Sequence, residues 1–214
     1  MTTDELISVA ILVVIFLGIA FPVHEFAHAF VAYRLGDGTA KLFGRLTLNP
    51  VVHFDPMGGL LLVISALGSG LTGTGFIFGW AKPTPVNPSN LRDRRNGEVL
   101  VAIAGPVSNL LMAVLGAVVW RVVAGFNVDL PGFFWQILFS FVAFNIALAI
   151  FNLIPVPPLD GSALLFRLVS PQTAWQLRPM LAQYGLIIVI VFVLFGGAIL
   201  GRLIGGVTEL LLGL

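Results

Sequence analysis

LISVAILVVIFLGIAFPVHEFAHAFVAYRL, residues 6–35, is an apolar run in which His24, Glu25 and His28 fall within little more than one helical turn. A bilayer is crossed by about 20 apolar helical residues, so this run is long enough to span one. It follows Asp4 and Glu5 rather than a basic segment and continues into HEFAH without a convincing cleavage site. It therefore reads as a retained span and not as a signal peptide. Ionisable side chains inside such a span are costly, by at least about 2.5–3.5 kcal/mol each on insertion scales. Three together call for a compensating partner.

The rest of the chain supplies the setting. Of its 214 residues 58% are hydrophobic and 10% charged, against about 25% charged in a soluble domain. Too few polar side chains are present to cover a globule, and the expected fold is a membrane all-α bundle read as a single domain, 1–214. The formal net charge of +1 argues against nucleic acid as a partner. The absence of cysteine excludes disulfides and thiolate metal sites.

Four stretches are long enough to cross a bilayer: 6–35, 98–124, 132–153 and 183–212. A fifth, MGGLLLVISALGSGLTGTGFIFGW (57–80), is glycine-rich with Thr72-Gly73-Thr74-Gly75 near its centre. Its flanks LLLVIS and FIFGW are expected as two strands of a membrane-associated β-hairpin, or as a re-entrant segment, with a fifth helix as the alternative. Positive residues mark cytoplasmic span ends. Arg34, Lys41 and Arg45 follow the first span, Lys82, Arg92, Arg94 and Arg95 precede the second, and Arg167 and Arg178 follow the third. Both ends of 36–97 are thus placed on the cytoplasmic side, and the two termini outside. Arg121 and Arg202 lie near the opposite ends and run against this bias.

On a helix, residues four apart share a face one turn apart. His24 and His28 can then direct their imidazoles at one ion, while Glu25, turned by about 100°, can reach a water on that ion without being a ligand. This is the HExxH zinc pattern. Zinc lowers the pKa of a bound water to about 7, and the glutamate takes its proton as it attacks a carbonyl.

A catalytic zinc needs a third protein ligand and an open position. His53 lies in NPVVHFDPMGG, outside the long spans, and reads as a loop histidine rather than a ligand. Asp160 ends FNLIPVPPLDG (151–161), where three prolines cannot continue a helix. Broken backbone at membrane depth is tolerated only where it is buried in protein or lines a cavity. On the fragment alone, Asp160 could equally N-cap a short helix over GSALLFRLV. Topology favours the site: HEFAH, AGPVSN (104–109) and Asp160 all reach the cytoplasmic end of a span.

With these motifs in order, the chain resembles the site-2 proteases, zinc metalloproteases that cleave inside the membrane, of the compact prokaryotic type. The resemblance rests on HEFAH (24–28), GPVSN (105–109) and NLIPVPPLDG (152–161), which match HExxH, GPxxN and NxxPxxxLDG, and on FGWAKPTPVNP (78–88). It implies His24, His28 and Asp160 as ligands of one zinc, Glu25 as the base, and supporting polar roles for Asn152 and Asn109. It also implies transmembrane protein substrates, a multi-pass cell-membrane location, and an active site towards the cytoplasm. The stretch 125–131 is too short for a PDZ-like insertion, so selection of substrates by such a domain is not expected. Asn152 is a candidate donor to the developing oxyanion or, equally, a helix-end hydrogen bond. A free edge of the 57–80 hairpin would hold unwound substrate as an added strand. The alternatives are a zinc transporter, which needs no Glu25 and for which no ionisable path continues outward, and a non-catalytic scaffold.

Overall fold

Pro22 leaves the carbonyl of Gly18 without its usual intrahelical donor, because a proline nitrogen carries no hydrogen. The first helix widens just before it: residues Phe16–Ala20 form a π-helical turn in which the Phe21 N–H donates to the Phe16 carbonyl. The computed structural model describes residues 7, 10, 11, 13–72, 79–126 and 129–214, and their side chains except at 66 and 68–72. Within these, four helices are long and apolar enough to cross a membrane: α1 (Val13–Arg34), α5 (Arg94–Gly125), α6 (Gly132–Asn152) and α8 (Pro171–Leu212). Between them lie α2 (Thr39–Leu42), α3 (Pro50–His53), α4 (Pro56–Thr72) and α7 (Gly161–Leu168).

Caps set the starts of two of the long helices outside the apolar runs. The Asp93 side chain accepts from the Asn96 N–H at the start of α5, and the Ser170 side chain from the Thr173 N–H at the start of α8. Both helices therefore begin several residues before the hydropathy of their sequence rises.

Small residues let the helices approach, as expected where lipid supplies no hydrophobic drive between them. Ala113 and Ala117 of α5 pack on Val142 and Ile146 of α6 and Leu212 of α8. A Cβ on Gly116 would stand 2.8 Å from Phe141 and 2.9 Å from Val142. Phe16 and Ala20 of α1, Leu62 of α4 and Leu148 of α6 form a second cluster. Along α8 the apolar side chains Leu186, Ile187, Ile190, Leu194, Phe195 and Ile199 are exposed. Such a surface belongs in lipid, and the chain is a membrane protein.

The helices alternate in direction, and their polar ends gather. Arg178 at the start of α8 pairs with Glu98 at the start of α5 (3.3 Å), and Arg167 Nε donates to Asn96 Oδ1 (3.1 Å). At the opposite end Arg121 Nε and Nη2 donate to the carbonyls of Leu211 (2.7 Å) and Leu210 (2.8 Å), the last turn of α8.

The expected first strand of a hairpin, LLLVIS, is not a strand: 60–65 lies inside α4. The FIF half of FIFGW falls outside the described residues, and no strand occurs among those described. The described glycines serve close approach, while Gly73 and Gly75 of the expected turn lie outside the described residues. A Cβ on Gly58 would overlap the Trp80 carbonyl, one on Gly59 the Phe54 ring, and one on Gly79 would stand 2.7 Å from Leu62 Cβ. The chain thus returns against the start of the helix it left by, and the Lys82 N–H donates to the His53 carbonyl (2.9 Å). Entry and exit are side by side, which is the same-side path inferred from the positive residues.

Residues 81–92 then run as a strap across the end of α1. Asp37, fully buried, receives the Asn87 N–H (2.7 Å) and Asn90 Nδ2 (2.9 Å) from the strap, and the Thr39 N–H (3.0 Å) and Oγ1 (2.5 Å) from α2. The Arg92 N–H donates to the Leu35 carbonyl (3.0 Å).

Candidate metal centre

His24 and His28 stand one turn apart on the buried face of α1. Their Nδ1 atoms are both engaged from α5: His24 Nδ1 is 2.6 Å from Asn109 Oδ1, and His28 Nδ1 is 2.7 Å from the Val101 carbonyl. A carbonyl can only accept, so each Nδ1 carries a hydrogen, and in the neutral imidazole each Nε2 presents its lone pair. The two Nε2 atoms are 3.0 Å apart.

Asp160 completes the group. The proline stretch ends α6 at Asn152 and folds back in short turns, Ile154 N–H to the Phe151 carbonyl and Leu159 N–H to the Val156 carbonyl. A Cβ on Gly161 would stand 2.5 Å from the Ile154 carbonyl oxygen, so only glycine fits where the chain turns into α7. Asp160 is the N-cap residue of α7, yet its side chain caps nothing. Its Oδ2 lies instead 3.2 Å from His24 Nε2 and 3.3 Å from His28 Nε2, buried and without a hydrogen-bond donor.

Three potential ligand atoms, separated by 3.0, 3.2 and 3.3 Å, therefore converge, and with both imidazoles neutral each offers a lone pair. Atoms bonded to a tetrahedral zinc at about 2.0 Å are about 3.3 Å apart. The spacing, the two neutral imidazoles and the orphaned carboxylate oxygen fit that ion. Gly105 makes room for it: a Cβ there would stand 2.5 Å from His24 Cε1 and 2.6 Å from His24 Nε2, and closer still to His28 Nε2. Pro106 follows within the same helix.

Glu25 is not part of the ligand triangle and is held by the strap. Its Oε2 accepts the Thr84 N–H (2.8 Å), and its main-chain carbonyl accepts Thr84 Oγ1 (3.1 Å). Thr84 lies between Pro83 and Pro85, which confine the backbone to extended conformations and leave its N–H the sole main-chain donor of the three.

Asn152 Nδ2 donates to the Leu148 carbonyl one turn back (3.0 Å), the helix-end hydrogen bond. Its second Nδ2 hydrogen is not used by that bond. His53 is buried, with Nε2 against the Thr47 carbonyl (2.8 Å), and does not join the ligand group. Gly105 and Thr84 lie in the motifs GPVSN and FGWAKPTPVNP but carry no role in the sequence reading, and Asn145 lies in none of its motifs. Asn145 carried a signal nonetheless, being an amide within a span.

The Bacillus subtilis protein named "Putative zinc metalloprotease YwhC" is 40% identical over 188 residues, 83% of this chain and 78% of that protein. The chain belongs to peptidase family M50. The model of that family, the site-2 protease family, matches residues 129–196, which include Asn152 and Asp160. Two mycobacterial proteins named "Putative zinc metalloprotease Rip2" are also similar. The one from Mycolicibacterium smegmatis is 36% identical over 80% of this chain and 62% of its own length. The one from Mycobacterium tuberculosis strain H37Rv is 32% identical over 90% and 71%. No solved structure matches. As an M50 member the chain is a metallopeptidase of the zinc-dependent site-2 protease type.

Proposed function

We propose that this M50 member is an intramembrane protease, hydrolysing peptide bonds within or near transmembrane segments of other membrane proteins from a site towards the cytoplasmic side of the cell membrane. The observation that carries the reading is the convergence of His24, His28 and Asp160 inside the helical bundle, with Glu25 beside them.

His24, His28 and Asp160 would hold one zinc per chain, which would act as a Lewis acid and lower the pKa of the attacking water. The protein does the rest. Asn109 and the Val101 carbonyl hold the imidazoles with Nε2 forward. Thr84 holds one oxygen of Glu25, leaving the other to take the proton of the attacking water and pass it to the departing amine. The second Nδ2 hydrogen of Asn152 is available to the substrate carbonyl. A peptide bond inside a helix is shielded by its own hydrogen bonds, so the substrate must unwind before Glu25 can act on its attacker. The expected strand addition to LLLVIS has no basis, since its N–H groups belong to α4.

The test is cleavage of model transmembrane substrates by purified protein, with and without a zinc chelator. In Glu25→Gln the shape is kept and the base is lost, so zinc is retained while cleavage falls by about 10²–10⁴-fold. Parent-like cleavage by that variant would exclude this mechanism.

A further inference from the structure

A buried hydrogen-bond relay runs behind the ligand His24 and reaches Asn145, a residue of α6 outside the ligand triangle. We infer that Asn145 is a positioning residue for the metal centre, fixing through Asn109 which nitrogen of His24 faces the metal; this rests on the metal reading proposed above.

The direction of each bond follows from the far end. The Phe141 carbonyl can only accept, so Asn145 meets it with Nδ2 (2.9 Å). That orientation turns Asn145 Oδ1 towards α5, where it can only accept, and Asn109 meets it with Nδ2 (2.9 Å). Asn109 Oδ1 is then presented to His24 Nδ1 (2.6 Å), which must donate. The Nε2 lone pair of His24 is left towards Asp160 and His28. Without Asn145, only the long contact from Asn109 Nδ2 to the Ala20 carbonyl (3.5 Å) holds the Asn109 amide; the amide can then turn over, set its NH2 against His24, and favour the tautomer whose Nε2 carries a hydrogen. That tautomer has no Nε2 lone pair to offer an ion between His24, His28 and Asp160.

Asn109 and Asn145 are both 0% exposed, so water does not hold the amide in place of its neighbour. The relay ties α1, α5 and α6 together: the same two asparagines could serve only as polar glue between helices. The two roles differ in one measurable respect. Glue stabilises the bundle whatever occupies position 109, whereas a positioning role acts on zinc only through Asn109.

The experiment is a double-mutant cycle on the full chain, with zinc affinity read by competition with a chromophoric chelator and folding read by thermal melting. Asn145→Ala is expected to weaken zinc about 10-fold, the scale of outer-shell losses, and Asn109→Ala at least as much. In the Asn109→Ala background, Asn145→Ala should cause no further loss of zinc, though it can still lower the melting temperature. Asn145→Leu, of similar volume but with no acceptor, is expected to show the same loss and serves if the alanine variant does not fold. Parent zinc affinity in a folded Asn145 variant would overturn the inference, as would equal losses with and without Asn109. A parent chain that takes up no zinc would overturn the metal reading itself, and the relay's role with it.

Discussion

At Gly105 the absence of a side chain is a condition for the ligand geometry. A methyl group there would meet both imidazoles well inside van der Waals contact, and neither ring can retreat while its Nδ1 is held by Asn109 or Val101. Gly105→Ala is expected to weaken zinc binding by at least about 10-fold. Gly97→Ala on the same helix provides the comparison, because the nearest atoms to its Cβ belong to the Leu91 side chain, at 3.1–3.6 Å, and not to a ligand. That variant should keep parent zinc affinity, and chelator competition on the two proteins decides the matter. His53 gives the converse case. Its ring is buried against Thr47 and stands outside the ligand group, so His53→Ala should leave zinc content unchanged. Losing its buried hydrogen bond should lower stability by about 1–3 kcal/mol, read by denaturation in parallel with metal analysis.

The strap is the element that links the catalytic helix to the chain returning from α4. Its far end is fixed by Asp37, which has four donors and no cationic partner among the described contacts. Burial pushes the Asp37 carboxyl up, but hydrogen bonds from Thr39, Asn90 and Asn87 to the ionised form outweigh it and hold the group below the usual carboxylate range. A carboxyl depressed in the folded state adds stability above its unfolded pKa of about 3.9, and that stability is lost as pH falls through the folded value. Asp37→Asn should therefore melt below the parent at neutral pH, with the gap closing below about pH 4. A gap independent of pH would mean that the charge of Asp37 does not hold the strap.

For the whole molecule, the gathered helix ends make a topological prediction that the chain's lack of cysteine makes simple to test. Ser89, on the strap, and Asp129, between α5 and α6, are both exposed and lie at opposite ends of the bundle. Single cysteines at the two positions should react with a membrane-impermeant thiol reagent from opposite faces, Ser89→Cys from the cytoplasmic side. Labelling of both from one face would contradict the alternation of spans.

Much of this protein was legible in its sequence because its strongest signals are local. Span length and apolarity follow from the bilayer's thickness, the facing of His24 and His28 follows from helical period, and the end of α6 follows from prolines that cannot donate. On its own fragment Asp160 was not separable from an N-cap, and only the shared cytoplasmic level of the motifs favoured the site, since that choice depends on which donors surround its carboxylate in space. The segment 57–80 was misread as strands in its first half because glycine marks both turns and close approach. Gly58 and Gly59 were needed for a carbonyl at Trp80 and a ring at Phe54, neither of which a local pattern reveals. Thr84 on Glu25, Gly105 against the imidazoles and the relay from Asn145 to His24 join residues dozens of positions apart. Periodicity and composition describe a residue's neighbours along the chain. What polarises, orients and makes room at this site comes from neighbours across helices, and only the packing of the helices brings them there.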